Sequence, residues 1–267
     1  PAMGMKLVMI ACDKEFALSK DDEVDFLEKM LLTSPKNLKL DGKIVPGKLK
    51  YTIKPTEGSK ITIPSGDNQK VQTQKDGTII ATVDPVKPKK NIKFPYQGND
   101  PEALKMLKPT PEIQSDDPRI KELSDQATKG IKDAAKAAKA IEKFVGEYIR
   151  QKNLSVGYAT ASEVAVSKQG DCTEHAVLTA AMLRAAGIPA KVAFGLVYAE
   201  SFAGRRNIFG GHAWTQAYID GKWIGLDATR GFGAGHLMLA SGNGNPTDFL
   251  SMINTLGYFK IAELEQK

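Results

Sequence analysis

Cysteine and histidine are scarce in this sequence. Its 267 residues include two cysteines, Cys12 and Cys172, and three histidines, His175, His212 and His236. Two cysteines can form at most one disulfide, and the Cys-x-x-Cys spacing of structural zinc sites is missing. The sequence thus excludes a framework of several disulfides and a Cys-x-x-Cys zinc site. The cysteine count does not decide the cellular compartment.

Long apolar runs and acidic clusters are missing as well. No apolar run approaches the roughly 20 residues that a membrane-spanning helix needs. The run KLVMIAC at 6–12 is too short for a signal-peptide core followed by a cleavage site. We therefore expect no membrane segment in this chain. Because no acidic cluster of the EF-hand type occurs, calcium activation is not expected either.

Arginine is absent from the front of the chain. The first arginine is Arg119, so the positive charge of the preceding residues comes from lysine, and the whole chain has a net charge of only +6. Nucleic-acid sites usually combine arginine with interleaved aromatic residues. We therefore expect a solvated lysine-rich surface and no nucleic-acid partner.

Residues 1–108 are predicted to form a β-rich N-terminal domain and a linker. Residues 48–53 (KLKYTI) alternate polar and apolar side chains with a period of two, which is typical of a half-buried strand. Residues 24–32 fit either a helix or a strand. The six prolines between Pro85 and Pro111 indicate an extended connector. Other short strands, two of them flanking a turn at Lys75-Asp76-Gly77, are predicted at 60–63, 71–74 and 78–83.

Helical patterns begin after a boundary that we place near residue 109. Asp117 offers an N-cap acceptor, and Pro118 fits the first position of a helix. A second helix is predicted from about 131 to 152, because its apolar residues form one stripe. A third is predicted over 172–186, where Gly187 suits the residue that follows a helix.

Strands predominate in the rest of the chain. Residues 191–198 indicate a buried strand, and Asp220-Gly221 predicts a hairpin between strands at 212–220 and 223–229. Two more strands are predicted at 236–240 and 258–264. Helices followed by antiparallel strands predict an α+β core over residues 109–267.

Cys172 lies where a nucleophile would be stabilised. It is predicted to begin the third helix, and the unsatisfied N–H groups of a helix N-terminus stabilise a nearby anion. A thiolate is the reactive form of cysteine, and a neighbouring imidazolium would stabilise it further. Cys172 is therefore a candidate nucleophile.

His212 and Asp227 lie on the two strands of the predicted hairpin. Counting outward from the turn brings His212 opposite the residues just after Asp227, and neighbours on one face of a sheet lie within roughly 5–8 Å. Asp227 could then accept the Nδ1 proton of His212 and orient its ring. Backbone N–H groups at the start of the Cys172 helix would bind an oxyanion, together with a side-chain donor such as Tyr158 or Gln169.

Two other interpretations use the same residues. Cys172 and His175 lie one helical turn apart, so with His212 and Asp227 they could form a four-ligand zinc site. Alternatively, the domain could be a non-catalytic binding or structural module. The ordered set of a cysteine on a helix start, a histidine on a strand and an aspartate on the next strand favours catalysis.

Four sequence blocks resemble the transglutaminase-like superfamily, and more narrowly its bacterial cysteine-protease branch. The resemblance covers roughly residues 118–230. A papain-like core of helices packed on an antiparallel sheet is the fold that it implies, preceded here by the β-rich N-terminal region. The blocks are Gly170-Asp171-Cys172-Thr173-Glu174-His175-Ala176, Leu183-Arg184-Ala185-Ala186-Gly187-Ile188-Pro189-Ala190, His212-Ala213-Trp214, and Gly221-Lys222-Trp223 with Leu226-Asp227-Ala228-Thr229.

The resemblance also implies an activity. It assigns Cys172, His212 and Asp227 as the catalytic triad of an acyl transfer from amides through a thioester, without a cofactor or metal. Hydrolysis of a protein or peptide substrate is expected, with cross-linking by an amine as the alternative. A periplasmic or extracellular location is also implied. Flexible loops at 199–211, which contain Arg205 and Arg206, and at 231–235 are expected to border the site.

Overall fold

The computed structural model describes residues 31–151, 159–245, 247–248, 252 and 255–267. Cys12, Tyr158 and most of the segment 24–32 therefore lie outside the described residues. The described helices are α1 (Pro101–Lys105), α2 (Pro118–Thr128), α3 (Ala134–Tyr148), α4 (Ala161–Ser167) and α5 (Cys172–Ala185). The described strands are β1 (Leu31–Thr33), β2 (Leu49–Pro55), β3 (Gln69–Thr73), β4 (Ile79–Val83), β5 (Ala190–Phe202), β6 (Arg205–Ile219), β7 (Lys222–Leu226), β8 (His236–Gly242) and β9 (Phe259–Gln266).

One antiparallel sheet carries the C-terminal part of the chain. Its strand order is β1-β6-β5-β8, and β7 also pairs with β6. The predicted hairpin between β6 and β7 is confirmed, because Ile219 pairs with Lys222. Asp220 and Gly221 both have positive φ angles, 53° and 74°, which the two central residues of a type I′ turn require.

A second antiparallel sheet has the order β3-β4-β2-β9. It contains the predicted strands on either side of the Lys75-Asp76-Gly77 turn, but the strand predicted at 60–63 is wrong, since those residues form no ladder. β9 comes from the end of the chain and pairs with β2 along its whole length. This sheet thus joins chain segments from both sides of residue 109, and the proposed division into 1–108 and 109–267 stays a prediction.

The two sheets are linked by the side chain of Gln69. Its Nε2 donates to the carbonyl oxygen of Met238 and its Oε1 accepts from the Met238 N–H, both at 2.9 Å. The amide of Gln69 therefore pairs with the outer edge of β8 as a strand would. This contact holds β8, which begins at His236, in a fixed position.

The helices begin at capping residues that the sequence partly revealed. Asp117 accepts from the N–H of Arg119 at the start of α2, as predicted. α3 begins at Ala134, later than predicted, because Asp133 is its N-cap. It ends at Tyr148, earlier than predicted. Two of the described helices were not predicted: α1 inside the proline-rich connector and α4 after a Thr160–Glu163 capping box.

Helix α5 lies at the centre of the fold. Twelve of its residues are buried, and it packs against β6 and β5 as well as α2, α3 and α4. Gly187 follows it with φ of +76°, as its predicted role requires. The fold is therefore the predicted α+β arrangement of helices on an antiparallel sheet.

The segment 199–211 is not a loop. Ala199 to Phe202 extend β5, Arg205 begins β6, and the two strands continue to pair up to the Phe202–Arg205 pair. The expectation of a flexible lid there is wrong. Local composition suggested a loop because of its glycines and arginines, but pairing with a long partner strand overrides local propensity.

Candidate active site

Cys172 is the first residue of α5, as predicted. The preceding Asp171 caps the helix, accepting from the N–H of Thr173 at 2.8 Å and from that of Glu174. Gly170 has a φ of +144°, and a β-carbon there would collide with the side chain of Glu174. The Gly-Asp-Cys sequence therefore fixes the position of the sulfur through backbone geometry.

Glu174 completes the cap from inside the protein. Its carboxylate accepts from the N–H of Asp171 at 2.9 Å and from that of Ala159 at 3.0 Å. Burial raises the pKa of Glu174 to about 7. The residue ties the start of α5 to the chain segment that enters α4.

His212 and Asp227 are brought together by the β6–β7 hairpin. His212 Nε2 lies 2.8 Å from Asp227 Oδ2, and Asp227 follows directly after β7. Asp227 therefore contacts Nε2 of His212, and the predicted pairing with Nδ1 is wrong. With Nε2 facing Asp227, the other ring nitrogen, Nδ1, is free of that contact, and His212 and Cys172 line the same cleft.

The electrostatic environment of His212 favours the charged form of its imidazole. Burial opposes the charge on His212, but the interactions with Asp227 and Cys172 outweigh it and raise the pKa of His212 to about 10. Burial also opposes the charge on Asp227, yet His212 and the hydrogen bonds from His212 and His236 hold the pKa of Asp227 well below its ordinary value. His212 is therefore protonated and Asp227 ionised near neutral pH.

Asp227 has more partners than the sequence indicated. Its Oδ1 accepts from the N–H of Thr229 at 2.8 Å and from the Thr229 hydroxyl at 2.6 Å. Its Oδ2 also lies 3.0 Å from His236 Nε2. Its backbone N–H donates to Glu142 on α3 at 2.7 Å. No local signal could identify Glu142 or His236, because both reach Asp227 only through tertiary packing.

A cleft of about 650 Å³ opens onto Cys172 and His212. Leu40, Val197, Phe202 and Ile208 provide apolar surface, and Lys43 and Arg230 provide positive charge. Gln169, one of the two candidate oxyanion donors, does not line the described part of this cleft; it forms an isolated bridge with Gln151. The other candidate, Tyr158, lies outside the described residues.

The four side chains of the zinc alternative do not converge. In the described ranges, one group of His, Cys, Asp or Glu side chains has its ligand atoms within 4.8 Å of one another. This group is His212, Asp227 and His236. His175 instead turns Nδ1 towards the carbonyl oxygen of Asp171, at 2.5 Å. Contacts of 2.8 and 3.0 Å make the His212–Asp227–His236 set a hydrogen-bonded cluster.

Comparison with known families gives a match for the central part of the chain. Residues 121–228 match the model of the transglutaminase-like superfamily. This segment is similar to that superfamily. The transglutaminase-like segment contains Cys172, His212 and Asp227, together with helix α5 and the β6–β7 hairpin that position them.

Alignments with solved structures extend beyond the transglutaminase-like segment. A "Putative Cysteine Protease" from Cytophaga hutchinsonii aligns with a TM-score of 0.50 and 18% identity, covering 84% of this chain and 82% of that one. The periplasmic domain of TgpA from Pseudomonas aeruginosa aligns with a TM-score of 0.43 and 18% identity, covering 75% and 82%. Comparison with curated proteins gives no significant match.

None of the described helices combines the length and the apolar character needed to cross a bilayer.

Proposed function

We propose that this protein is a thiol-dependent enzyme that hydrolyses amide bonds of peptide or protein substrates through a thioester on Cys172. The observation that carries the proposal is that Cys172 and His212 line one cleft while His212 Nε2 lies 2.8 Å from Asp227 Oδ2. A cysteine at a helix start, an imidazole beside it and a carboxylate that orients the imidazole are the parts that activate a thiol.

The proposed reaction has two steps. The Cys172 thiolate attacks the amide carbon, and the imidazolium of His212 donates its proton to the departing amine, which leaves an acyl thioester. Neutral His212 then accepts a proton from water, whose oxygen attacks the thioester carbon. The acid is released, and the proton on His212 restores the resting thiolate–imidazolium pair.

Backbone geometry limits the donors available to the oxyanion. Asp171 accepts the N–H groups of Thr173 and Glu174 through its side chain, and that of His175 through its carbonyl oxygen at 3.1 Å. In the first turn of α5 the N–H of Cys172 itself is therefore the donor that we assign to the oxyanion. The amino-acid sequence alone does not distinguish among the N–H groups at the start of this helix.

Hydrolysis is preferred to cross-linking by resemblance to the bacterial cysteine-protease branch of the superfamily. We also keep the periplasmic or extracellular location as a proposal from that resemblance. Water and an amine would react with the same thioester, so an experiment must offer both.

The test is a product analysis. The protein is incubated with a peptide library, with and without a primary amine, and the products are identified by mass spectrometry. We expect cleaved or deamidated peptides that carry one oxygen from ¹⁸O-labelled water, and no products from Cys172→Ser. Amine-linked peptides as the main product would replace hydrolysis by transamidation. A failure of Cys172 to react faster than Cys12 with iodoacetamide would favour the non-catalytic module.

A further inference from the structure

His236 is a buried histidine that the proposed reaction does not use. It begins β8, its side chain is 2% exposed, and its Nε2 lies 3.0 Å from Asp227 Oδ2. That oxygen is the one that also binds His212. Burial lowers the pKa of His236, so its ring is neutral near pH 7.

The proton of neutral His236 lies on Nε2. An ionised carboxylate accepts hydrogen bonds and donates none, so the ring must donate to Asp227. Its Nδ1 lies 3.3 Å from the Gly233 nitrogen and 3.1 Å from the Gly233 carbonyl oxygen. With the proton on Nε2, the Gly233 N–H is the donor that Nδ1 accepts from.

We propose that His236 is a positioning residue that keeps Asp227 ionised while His212 is neutral, and so sets the pH above which His212 acts as a base. The proposal rests on the proposed function only for its kinetic consequence, the hydrolysis of the thioester. The effect of His236 on the protonation of His212 and Asp227 can be measured without a substrate.

The charge of the His212–Asp227 pair changes when His212 loses its proton. The pair has a net charge of zero when His212 is protonated and of minus one when His212 is neutral, and it titrates as a unit. A hydrogen bond from a neutral donor to the carboxylate stabilises the anionic state more than the neutral one. Without His236 the pair would hold its proton up to a higher pH.

The other groups around Asp227 do not replace this donor. In the described part of the chain, Thr229 supplies both donors to Oδ1, and Oδ2 is bound by the two histidines. The charged groups that face the pair are Cys172 on α5, Glu142 on α3 and Arg230 after β7. Of these, Glu142 binds the Asp227 backbone and not its carboxylate.

Two amide variants separate the role of the hydrogen bond from that of packing. The amide nitrogen of His236→Gln can reach the position of Nε2, whereas that of His236→Asn reaches only the position of Nδ1. The measurement is a ¹⁵N-NMR titration of the imidazoles in a Cys172→Ala background, which removes the thiolate as the acyl group does. The chain has only three histidines, so their signals can be resolved.

We expect His236→Asn to raise the apparent pKa of the His212–Asp227 pair by about one unit, the size of one hydrogen bond to a charged group. His236→Gln should leave it within a few tenths of a unit. An unchanged pKa in His236→Asn, or equal shifts in both variants, would overturn the proposal. Melting temperatures show whether each variant is folded.

Kinetic measurements test the consequence of His236 for catalysis. With p-nitrophenyl acetate, the burst reports acylation of Cys172 and the steady state reports hydrolysis of the thioester. At pH 7, His236→Asn should slow the steady state about tenfold and leave alkylation by iodoacetamide within about twofold. His236→Gln and a packing control on the same strand, Met238→Leu, should leave both rates near those of the unmodified protein.

The results distinguish a failure of the proposed role of His236 from a failure of the proposed function. Equal loss of alkylation and hydrolysis in His236→Asn would indicate a merely structural role and would overturn the inference. If the unmodified protein forms no acyl-Cys172, the proposed function fails. The NMR titration then still decides whether His236 sets the protonation of the pair.

Discussion

The carboxylate of Glu142 accepts a hydrogen bond of 2.7 Å from the backbone N–H of Asp227. Glu142 lies in the middle of α3 and is almost fully buried, and its second oxygen binds Lys139 at 2.7 Å. Burial raises the pKa of Glu142. A helix thus fixes the backbone of the residue that binds His212.

Replacement of Glu142 tests this support. Glu142→Gln keeps an oxygen that can accept from Asp227, so we expect nearly unchanged stability and activity. Glu142→Leu leaves the buried N–H of Asp227 unpaired, which should cost about 1–3 kcal/mol of unfolding free energy and reduce turnover. Chemical denaturation and the amide hydrolysis assay measure the two effects.

Lys139→Ala is the matched control for Glu142. Lys139 is more than half exposed, so its ion pair contributes little to stability. If Lys139→Ala proved as damaging as Glu142→Leu, the ion pair and not the backbone hydrogen bond would explain the effect.

Substitutions in the candidate triad should differ in severity. We expect Cys172→Ser and His212→Ala to abolish amide turnover while the fold is retained. Asp227→Asn should keep a trace, down by about 10⁴-fold, because it disturbs the tautomer and leaves the nucleophile in place. Turnover is measured by mass spectrometry and the fold by circular dichroism. Full activity of Cys172→Ser would contradict the assignment.

The charge of His212 predicts a specific pH dependence of stability. A histidine with a raised folded pKa stabilises the protein fully below its unfolded pKa of about 6.5, and this contribution is lost as the pH rises towards about 10. Replacement by a neutral donor, His212→Gln, removes it. The loss of unfolding free energy in His212→Gln should therefore be largest near pH 6 and should shrink steadily up to pH 10.

Urea denaturation at several pH values checks this expectation. Breaking a buried ion pair by removing one partner costs about 3–5 kcal/mol, so the deficit near pH 6 is within reach of the method. A deficit that is the same at pH 6 and pH 9 would mean that His212 is neutral in the folded protein.

Even the addition of a methyl group at Gly146 should be destabilising. It lies inside α3, where glycine to alanine normally stabilises a helix by about 1 kcal/mol. Here an added β-carbon would lie 2.5 Å from the carbonyl oxygen of Ala228, next to Asp227. We expect Gly146→Ala to lower the melting temperature and the turnover together.

An exposed neighbour on the same helix provides the control for Gly146. Glu147→Ala replaces an exposed side chain by the best helix former and should leave both properties nearly unchanged. A stable, fully active Gly146→Ala would show that α3 and the residues after β7 can move apart without affecting the site.

The sequence predicted the local geometry of the candidate site well where short-range rules apply. The cap before Cys172 and the Asp220-Gly221 turn depend on residues within a few positions of one another, so their signals are visible in the sequence. The turn alone fixes which residues of β6 and β7 face each other. This is why His212 and Asp227 could be paired before the fold was known.

Other features depend on partners that are distant in the sequence. The segment 199–211 forms paired strands because β5 and β6 are long enough to extend each other, which its composition conceals. The chain also carries β9 back to β2, more than 200 residues away. Neither pairing has a local signature, because main-chain hydrogen bonds do not depend on side-chain identity.

The amino-acid sequence by itself thus determined the cysteine at a helix start, the hairpin that brings a histidine towards an aspartate, and the resemblance of the central segment to a superfamily. Only the tertiary structure decided which nitrogen of His212 meets Asp227, and that His236 and Glu142 also bind Asp227. The reason is physical: capping and turns are set by neighbouring residues, whereas a buried carboxylate takes its partners from whatever elements the packing of the core brings against it.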